Sequence, residues 1–407
     1  MPKSAQPLTD AIVAFAAARG KPLPESARHI MKLSLLDWCA VAIAGKEEPV
    51  AGIVRNLVAE EGGRADATVI GLAQPLPARA AALANGAASH ALDYDDTHFA
   101  HIGHPSVGIV PAALAMAEKT GADGGAFLDA ALVGVEASCR IGTWLGRQHY
   151  QHGFHQTATS GTFGATMAAA RLLGIDEATM RQAMGLAATR ASGLKSQFGT
   201  MGKPYHAGMA AANGIEAALL ARAGFVSRPD GLECGQGFGE THAGEGGDLA
   251  PILAGLGEEC WFETVQHKFH ACCHGTHAAI EALNAIRLEH RLKPEDVASA
   301  EVTTHPRWLK VCNIEKPATG LEAKFSYRLT SAMALSGRDT GALTTYTDAL
   351  AAEPALAALR DRMSVATDPA LKDTEAHVIV RLASGAEIRG HHDLDKPIPA
   401  PAREAKV

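Results

Sequence analysis

Apolar residues recur at helical spacing through the first two-thirds of the chain, and many of these segments are apolar on almost every side. The segment "TDAIVAFAAARG" has a candidate N-cap at Thr9 and ends at Gly20, and "PESARHIMKLSLLDWCAVAIAG" runs from Pro24 to a second terminal glycine. Similar segments recur as far as "GMAAANGIEAALLARAGF". Helices that are apolar all round are buried inside a large helical body. The pattern therefore predicts an all-helical domain over residues 1–265.

The pattern changes from about residue 266 onward. "KFHACCHGTHAAIEALNAIRLEHRL" indicates a loop followed by an amphipathic helix, and "VASAEVTTH" alternates like a strand until Pro306 stops it. "TEAHVIVRLASGAEIRG" predicts a β-hairpin whose turn is the Ser-Gly pair at 384–385. We therefore expect a smaller α/β domain over residues 266–396.

Composition narrows the class of protein. The chain has 407 residues, of which 47% are hydrophobic and 20% charged, so it can bury a large core. A net charge of −7 and the lack of a Lys/Arg run argue against nucleic-acid binding. Seven cysteines, an odd number at irregular spacing, favour reduced thiols. The apolar stretch "LLDWCAVAIAG" is too short to span a membrane. These features predict a cytoplasmic protein that binds neither membrane nor nucleic acid.

Titratable residues crowd into the stretch "HALDYDDTHFAHIGHPS" at positions 90–106. A metal, a proton-transfer site or a solvated loop could each explain the crowding. The spacing of the histidines, aspartates and cysteines fits no zinc template, and no H-E-x-x-H pair occurs, so no metal is predicted. A histidine held beside an aspartate can exchange a proton near neutral pH. The alternatives that stay open are a core role for His90, turn capping by Asp95 and Asp96, and plain loop roles for His98 and His101.

Three further places combine histidine, lysine or cysteine with apolar surroundings. His155 lies in "YQHGFHQTATSGTFG", before a helix expected to start at Ser160, and Lys203 lies in the Gly-rich loop "GTMGKPYHAG". "HKFHACCHGTH" contains Lys268. Lysines in clefts can hold carboxylates and stabilise enolate-like charge. No phosphate loop, G-x-G-x-x-G or G-x-S-x-G is present, so no nucleotide cofactor is expected.

These motifs resemble the MmgE/PrpD family, which includes 2-methylcitrate dehydratases, cis-aconitate decarboxylases and an iminodisuccinate epimerase. The resemblance rests on "ALDYDDTH" with "GHPS", "SGTFGATMAAARLLGI", "MGKPYHAGMAAANGIEAALLARAGF", "KFHACCHGTHAAIEAL" and "EAKFSYRLTSAMAL". It implies a mainly α fold with a large helical domain and a smaller α/β lid domain, usually in a homodimer. It also implies chemistry without metal or cofactor on a small di- or tricarboxylic acid. Residues 397–407 would then be a tail that starts a return to the helical domain.

The resemblance also implies roles for individual residues. The expected catalytic residues are Asp93, His104, Lys203 and His155. The expected substrate-binding residues are Thr97, Lys268, Cys273 and His274.

Two departures from the decarboxylases affect the choice of reaction. Their lid histidine falls at Cys273, with His274 beside it, and their tyrosine falls at Leu329, two residues after Tyr327. These departures weaken the case for decarboxylation and leave dehydration or epimerisation open. Because hydro-lyases are a common outcome in the family that the chain resembles, we expect a dehydratase of the 2-methylcitrate type. The alternatives are an epimerase of an iminodisuccinate-type dicarboxylate, a cis-aconitate-type decarboxylase and a non-catalytic metal- or ligand-binding protein.

Overall fold

A computed structural model describes residues 7–244, 247–396 and 403–404. They form two compact units, and the chain passes from the first to the second between His267 and Lys268. The first unit is built of helices, and the second combines helices with a four-stranded sheet. The predicted fold class, mainly α with a large helical part and a smaller α/β part, is confirmed. The predicted course of the tail lies outside the described residues, apart from 403–404.

The described part of the first unit contains eleven α-helices. They are α1 (Leu8–Ala17), α2 (Glu25–Gly45), α3 (Pro49–Glu61), α4 (Ala78–Ser89), α5 (Pro105–Thr120), α6 (Gly124–Gln151), α7 (Gln156–Leu173), α8 (Glu177–Arg190), α9 (Gly202–Arg222), α10 (Phe238–Ala243) and α11 (Leu249–Leu253). Helix α7 packs against α5, α6 and α9, and its residues 156–170 are all buried. None of the helices in the described ranges combines the length and hydrophobicity that a membrane span requires.

Small residues let α4 and α9 approach each other closely. A Cβ at Gly208 of α9 would overlap the carbonyl oxygen of Leu83, and a Cβ at Gly86 of α4 would lie 2.7 Å from the Cα of Gly208. Larger side chains at either glycine would force the backbones apart. This contact fixes the C-terminal end of α4 relative to the first turns of α9, and both carry polar groups of the candidate site.

The second unit is built around one mixed sheet. Its helices are α12 (His277–His290), α13 (Gly320–Ala323), α14 (Tyr327–Leu335), α15 (Asp348–Ala351) and α16 (Pro354–Arg360), and its strands are β1 (Val297–Thr304), β2 (Met363–Thr367), β3 (Glu375–Leu382) and β4 (Glu387–Asp393). The strand order is β2-β1-β3-β4, with β1 and β2 parallel and the other pairs antiparallel. Helix α12 packs against β3 and β4. The predicted hairpin is confirmed, and Gly385 in its turn has φ 89°.

Three local predictions are wrong. Thr9 does not cap α1, which begins at Leu8; instead the Thr9 hydroxyl donates to Glu233 at 2.5 Å. Helix α7 begins at Gln156, four residues before the predicted start at Ser160. Ser160 is tolerated inside the helix because its hydroxyl donates to the carbonyl of Gln156 at 2.6 Å. Lys203 belongs to the first turn of α9 rather than to a loop, since Pro204 needs no hydrogen-bond partner there.

Candidate active site

The turn between α4 and α5 brings two histidines together from two helix ends. His90 directly follows α4, and His104 is the N-cap residue of α5. Asp93 has φ 52°, a left-handed conformation that aspartate tolerates better than most residues. The carboxylate of Asp96 accepts from the backbone N–H and the hydroxyl of Ser106, at 3.2 and 2.5 Å. Asp96 therefore ties the turn to the start of α5.

Asp95 lies between the two imidazoles. Its carboxylate oxygens are both 3.0 Å from Nδ1 of His90, and Oδ2 is 2.7 Å from Nδ1 of His104. The contact between Asp95 and Nδ1 of His104 is close but is not a well-aligned hydrogen bond. Burial alone would raise the pKa of Asp95, but its electrostatic interactions and hydrogen bonds with His104 and His90 outweigh burial and hold the pKa well below its usual range. Asp95 is therefore an ionised carboxylate that both rings face.

Asp93 and Lys203 continue the row on the other side of His104. Nζ of Lys203 donates to Oδ1 of Asp93 at 2.6 Å, and the same oxygen is 3.4 Å from Nε2 of His104. The side chain of His104 is 12% exposed, whereas that of His90 is fully buried. The order Lys203, Asp93, His104, Asp95, His90 alternates basic and acidic groups. Such a row can hold an imidazole in one orientation while a proton is gained or lost at Nε2.

A second pair of histidines lies beside this row. Nδ1 of His155, the N-cap residue of α7, is 3.1 Å from Nδ1 of His206 on α9. The ring of His155 is stacked against that of His90, with centroids 5.8 Å apart. Burial lowers the pKa of His90 and His206 to about 4 and the pKa of His155 well below its ordinary value, and nearby positive charge, including Lys203, adds to each effect. All three imidazoles are therefore neutral at pH 7.

Four of the predicted site residues are thus brought together in the first unit: Asp93, His104, Lys203 and His155. Thr97 lies in the same turn, half-buried, and its backbone pairs with that of Gln266.

The other three predicted residues, Lys268, Cys273 and His274, lie in the second unit and are all buried. The backbone N–H of Cys273 donates to the carbonyl of Lys324 at 3.0 Å, and the ring of His274 lies 4.5 Å from that of His277.

The tyrosine near the decarboxylase position is engaged elsewhere. The hydroxyl of Tyr327 donates to the carbonyl of Gly275 at 2.6 Å and lies 3.2 Å from the hydroxyl of Thr304. Leu329, at the decarboxylase tyrosine position, is fully buried. Position 329 therefore has no tyrosine hydroxyl, and the hydroxyl of Tyr327 is engaged in internal hydrogen bonds.

Three members of the cluster were not among the predicted site residues: His90, Asp95 and His206. His90 has the core location that its Ala-rich surroundings suggest, yet it shares Asp95 with His104. The only sequence signal was the crowding of His and Asp itself. By contrast, His98 and His101 are buried structural residues. His98 bonds to the carbonyl of Trp261, and His101 bonds to the hydroxyl of Ser160.

The same turn offers a set of metal-ligating atoms. One atom each from His90, Asp93, Asp95 and His104 lies within 4.8 Å of the other three. Their spacing along the chain fits no zinc template, because the fold of the turn and not a short motif brings the ligand atoms together.

Comparison with known proteins matches this chain along most of its length. The family model described as MmgE/PrpD N-terminal domain matches residues 11–247, and that of the MmgE/PrpD C-terminal domain matches residues 270–403. The cis-aconitate decarboxylase of Aspergillus terreus is 31% identical over 280 residues, which are 65% of this chain and 57% of that protein.

Two further relatives give similar figures. The cis-aconitate decarboxylase-like protein oryM of Aspergillus oryzae is 30% identical over 278 residues, 65% of this chain and 57% of that protein. The human cis-aconitate decarboxylase is 30% identical over 275 residues, which are 64% of this chain and 56% of that protein. The chain thus spans somewhat more than half the length of the curated relatives it matches.

Proposed function

The chain belongs to the MmgE/PrpD family, and on that premise we propose that it is a cofactor-independent enzyme acting on a small di- or tricarboxylic acid. The reaction removes or delivers a proton at the carbon next to a carboxylate. The observation that carries the proposal is the row from Lys203 to His90, in which His104 is held between Asp93 and Asp95.

His104 is the proposed general base. Asp95 is the nearest acceptor to its Nδ1, so a neutral His104 has its proton on that nitrogen and a lone pair on Nε2. Nε2 lies on the side of Asp93 and Lys203 and would take the substrate proton. When it does, the imidazolium gains from both carboxylates.

Lys203 and His155 are proposed to handle the negative charge of the substrate. Loss of the proton places charge on the neighbouring carboxylate, and an ammonium group in a site with little water stabilises that charge strongly. The side chain of Lys203 is only 16% exposed. His155, neutral and bonded to His206, can act as an uncharged donor. Thr97, Lys268, Cys273 and His274 remain proposed substrate-binding residues.

We favour dehydration as the reaction. The proton would leave the carbon beside the carboxylate, hydroxide would leave the adjacent carbon with a proton from a general acid, and the products would be an alkene and water. Cys273 and Leu329 replace the histidine and tyrosine expected of a decarboxylase, and Tyr327 uses its hydroxyl in internal bonds. Epimerisation would use the same first step without expulsion of hydroxide.

Decarboxylation is the second candidate because the relatives named above are called cis-aconitate decarboxylases. Proton NMR in D₂O separates the reactions, with citrate, 2-methylcitrate, cis-aconitate and iminodisuccinate as substrates. An alkene product together with deuterium incorporation next to the carboxylate marks a dehydratase. Inversion of configuration with deuterium incorporation marks an epimerase. A new methylene signal with release of CO₂ marks a decarboxylase. Full turnover by both His104→Ala and Lys203→Ala would refute the assigned roles. Silence across the panel would mean that the substrate lies outside these acids.

Two predictions about the whole protein stay proposals. The family resemblance implies a homodimer, which light scattering on the purified chain tests directly. A cytoplasmic location is also proposed, and fractionation of cells that produce the protein would test it.

A further inference from the structure

The acid–base cluster has the donor set of a transition-metal site. His90 and His104 supply imidazole nitrogens, and Asp93 and Asp95 supply carboxylate oxygens, with one atom from each within 4.8 Å of the other three. Zinc binds nitrogen at about 2.0–2.1 Å and carboxylate oxygen at about 2.0–2.2 Å, so tetrahedral ligand atoms lie about 3.3–3.5 Å apart. Nε2 of His104 lies 3.4 Å from Oδ1 of Asp93, and Nδ1 of His90 lies 3.0 Å from Oδ1 of Asp95, which is close to that spacing. Small side-chain rotations would complete the shell.

The cluster also differs from an ordinary group of surface carboxylates. His90 and Asp95 are 1% exposed, and His104 is held at the start of α5. Nε2 of His90 is buried without a hydrogen-bond partner among the described residues. Buried ligands lose little water and little conformational freedom when they bind a cation.

Lys203 opposes such a cation. Its ammonium donates to Oδ1 of Asp93 at 2.6 Å, so the metal must share this carboxylate with a positive charge. Coulomb repulsion between two cations on one carboxylate is strong in a site with little water. Removal of the ammonium should therefore strengthen metal binding, although it should weaken catalysis.

We propose that His90, Asp93, Asp95 and His104 form an inhibitory binding site for a divalent transition metal of the zinc class. The metal takes the nitrogen and oxygen atoms that proton transfer needs, so the chain is active without metal and stops when metal binds. Metal binding itself follows from the ligand geometry, and only the inhibition rests on the proposed function.

The test measures binding and turnover separately on the full chain. Bound Zn²⁺ is measured by equilibrium dialysis at free concentrations set by a chelator buffer, without substrate, and Co²⁺ is used to record the visible spectrum of a tetrahedral site. His90→Gln and Asp95→Asn remove one ligand each, and near-ultraviolet circular dichroism checks that they fold. The matched control is the double variant His377→Gln/His391→Gln, which removes an exposed cross-strand pair with ring centroids 4.6 Å apart.

We expect one zinc per chain in the native protein and in the control, and at least about tenfold weaker binding in each ligand variant. Lys203→Met should bind zinc at least about tenfold more tightly. Turnover of the native protein should fall over the same range of free zinc and return with EDTA. Any of three results would overturn the proposal. The first is loss of zinc binding only in the surface double variant, the second is unchanged or weaker zinc binding in Lys203→Met, and the third is higher turnover with zinc. Zinc binding without turnover on any substrate would instead refute the proposed function alone.

Discussion

The substitution Asp95→Asn tests the central feature of the site. It keeps the shape of the side chain but removes the charge that lies 2.7 Å from Nδ1 of His104. At an effective dielectric constant of about 20, unit charges at that distance attract by about 6 kcal/mol, which is an upper bound for the gain when His104 becomes an imidazolium. The neutral amide can also direct its NH₂ group at His104 and place the ring proton on Nε2, the wrong nitrogen.

We therefore expect kcat to fall about 10²- to 10⁴-fold, or roughly 2.7–5.5 kcal/mol in barrier. KM should change less than about threefold, since a side chain that is 1% exposed contributes little to binding the ground state. A fall in kcat with constant KM is the sign of an interaction made in the transition state.

The assay is steady-state turnover on the substrate identified by NMR, followed through its product. Asp96→Asn is the matched control, because Asp96 is the next residue, equally buried, and bonded to Ser106 rather than to an imidazole. Burial, with the nearby Asp37 charge, raises the pKa of Asp96 to about 7, so a neutral isostere changes little there. The reasoning fails if folded Asp95→Asn keeps more than a third of the native kcat, or if both variants lose the same amount.

Three further predictions concern catalysis, packing and pH. Lys203→Met should lower kcat/KM about 10²- to 10³-fold, whereas Lys203→Arg should keep a higher kcat/KM because it retains the positive charge. Equal values of kcat/KM for the two variants would contradict a role for the charge. Gly208→Ala should lower the free energy of unfolding by about 1–3 kcal/mol in urea titrations, because its methyl group overlaps α4; no loss would contradict the contact. Burial lowers the pKa of His90 and His98 to about 4, so each of them destabilises the folded state progressively as pH falls from about 6.5 to 4. The raised pKa of Asp96 acts in the opposite direction, but the lowered pKa values of His206 and His155 act in the same direction as those of His90 and His98. Tm should therefore fall between pH 6.5 and 4.5, and a rise would contradict the assignment.

Periodicity predicted those elements whose residues face the core regularly. The hairpin formed by β3 and β4 was predicted because Ala376, Val378 and Val380 alternate with exposed residues and are buried. Strand β2 was not predicted, because it has only five residues and exists through its parallel pairing with β1, which is distant in sequence. The cap at Thr9 was wrong for a related reason, since Glu233 lies 224 residues away and takes its hydroxyl. Local patterns cannot report such distant partners.

The candidate site shows the same limit. Crowding of His and Asp located the turn, and the family motifs selected Asp93, His104 and Lys203, which lie together. Asp95 was ambiguous, because turn capping and imidazole binding have the same sequence signature. His206 could not be linked to His155, since they are 51 residues apart and meet only where α7 packs against α9.

The proposed proton-transfer residues and the positions that differ from the decarboxylases lie in different units of the chain, which bears on how one family can carry out different reactions. The groups proposed to move the proton, with Asp95 and His206 in support, all lie in the first unit. The positions that differ from the decarboxylases, Cys273 and Leu329, lie in the second. If Cys273 binds substrate as proposed, its replacement can alter which bond breaks after proton removal without disturbing the base. We expect deuterium wash-in to survive Cys273→Ser even if product formation falls, whereas Asp95→Asn should slow both. Equal loss of wash-in and product in Cys273→Ser would show that the two steps are not separable in this way.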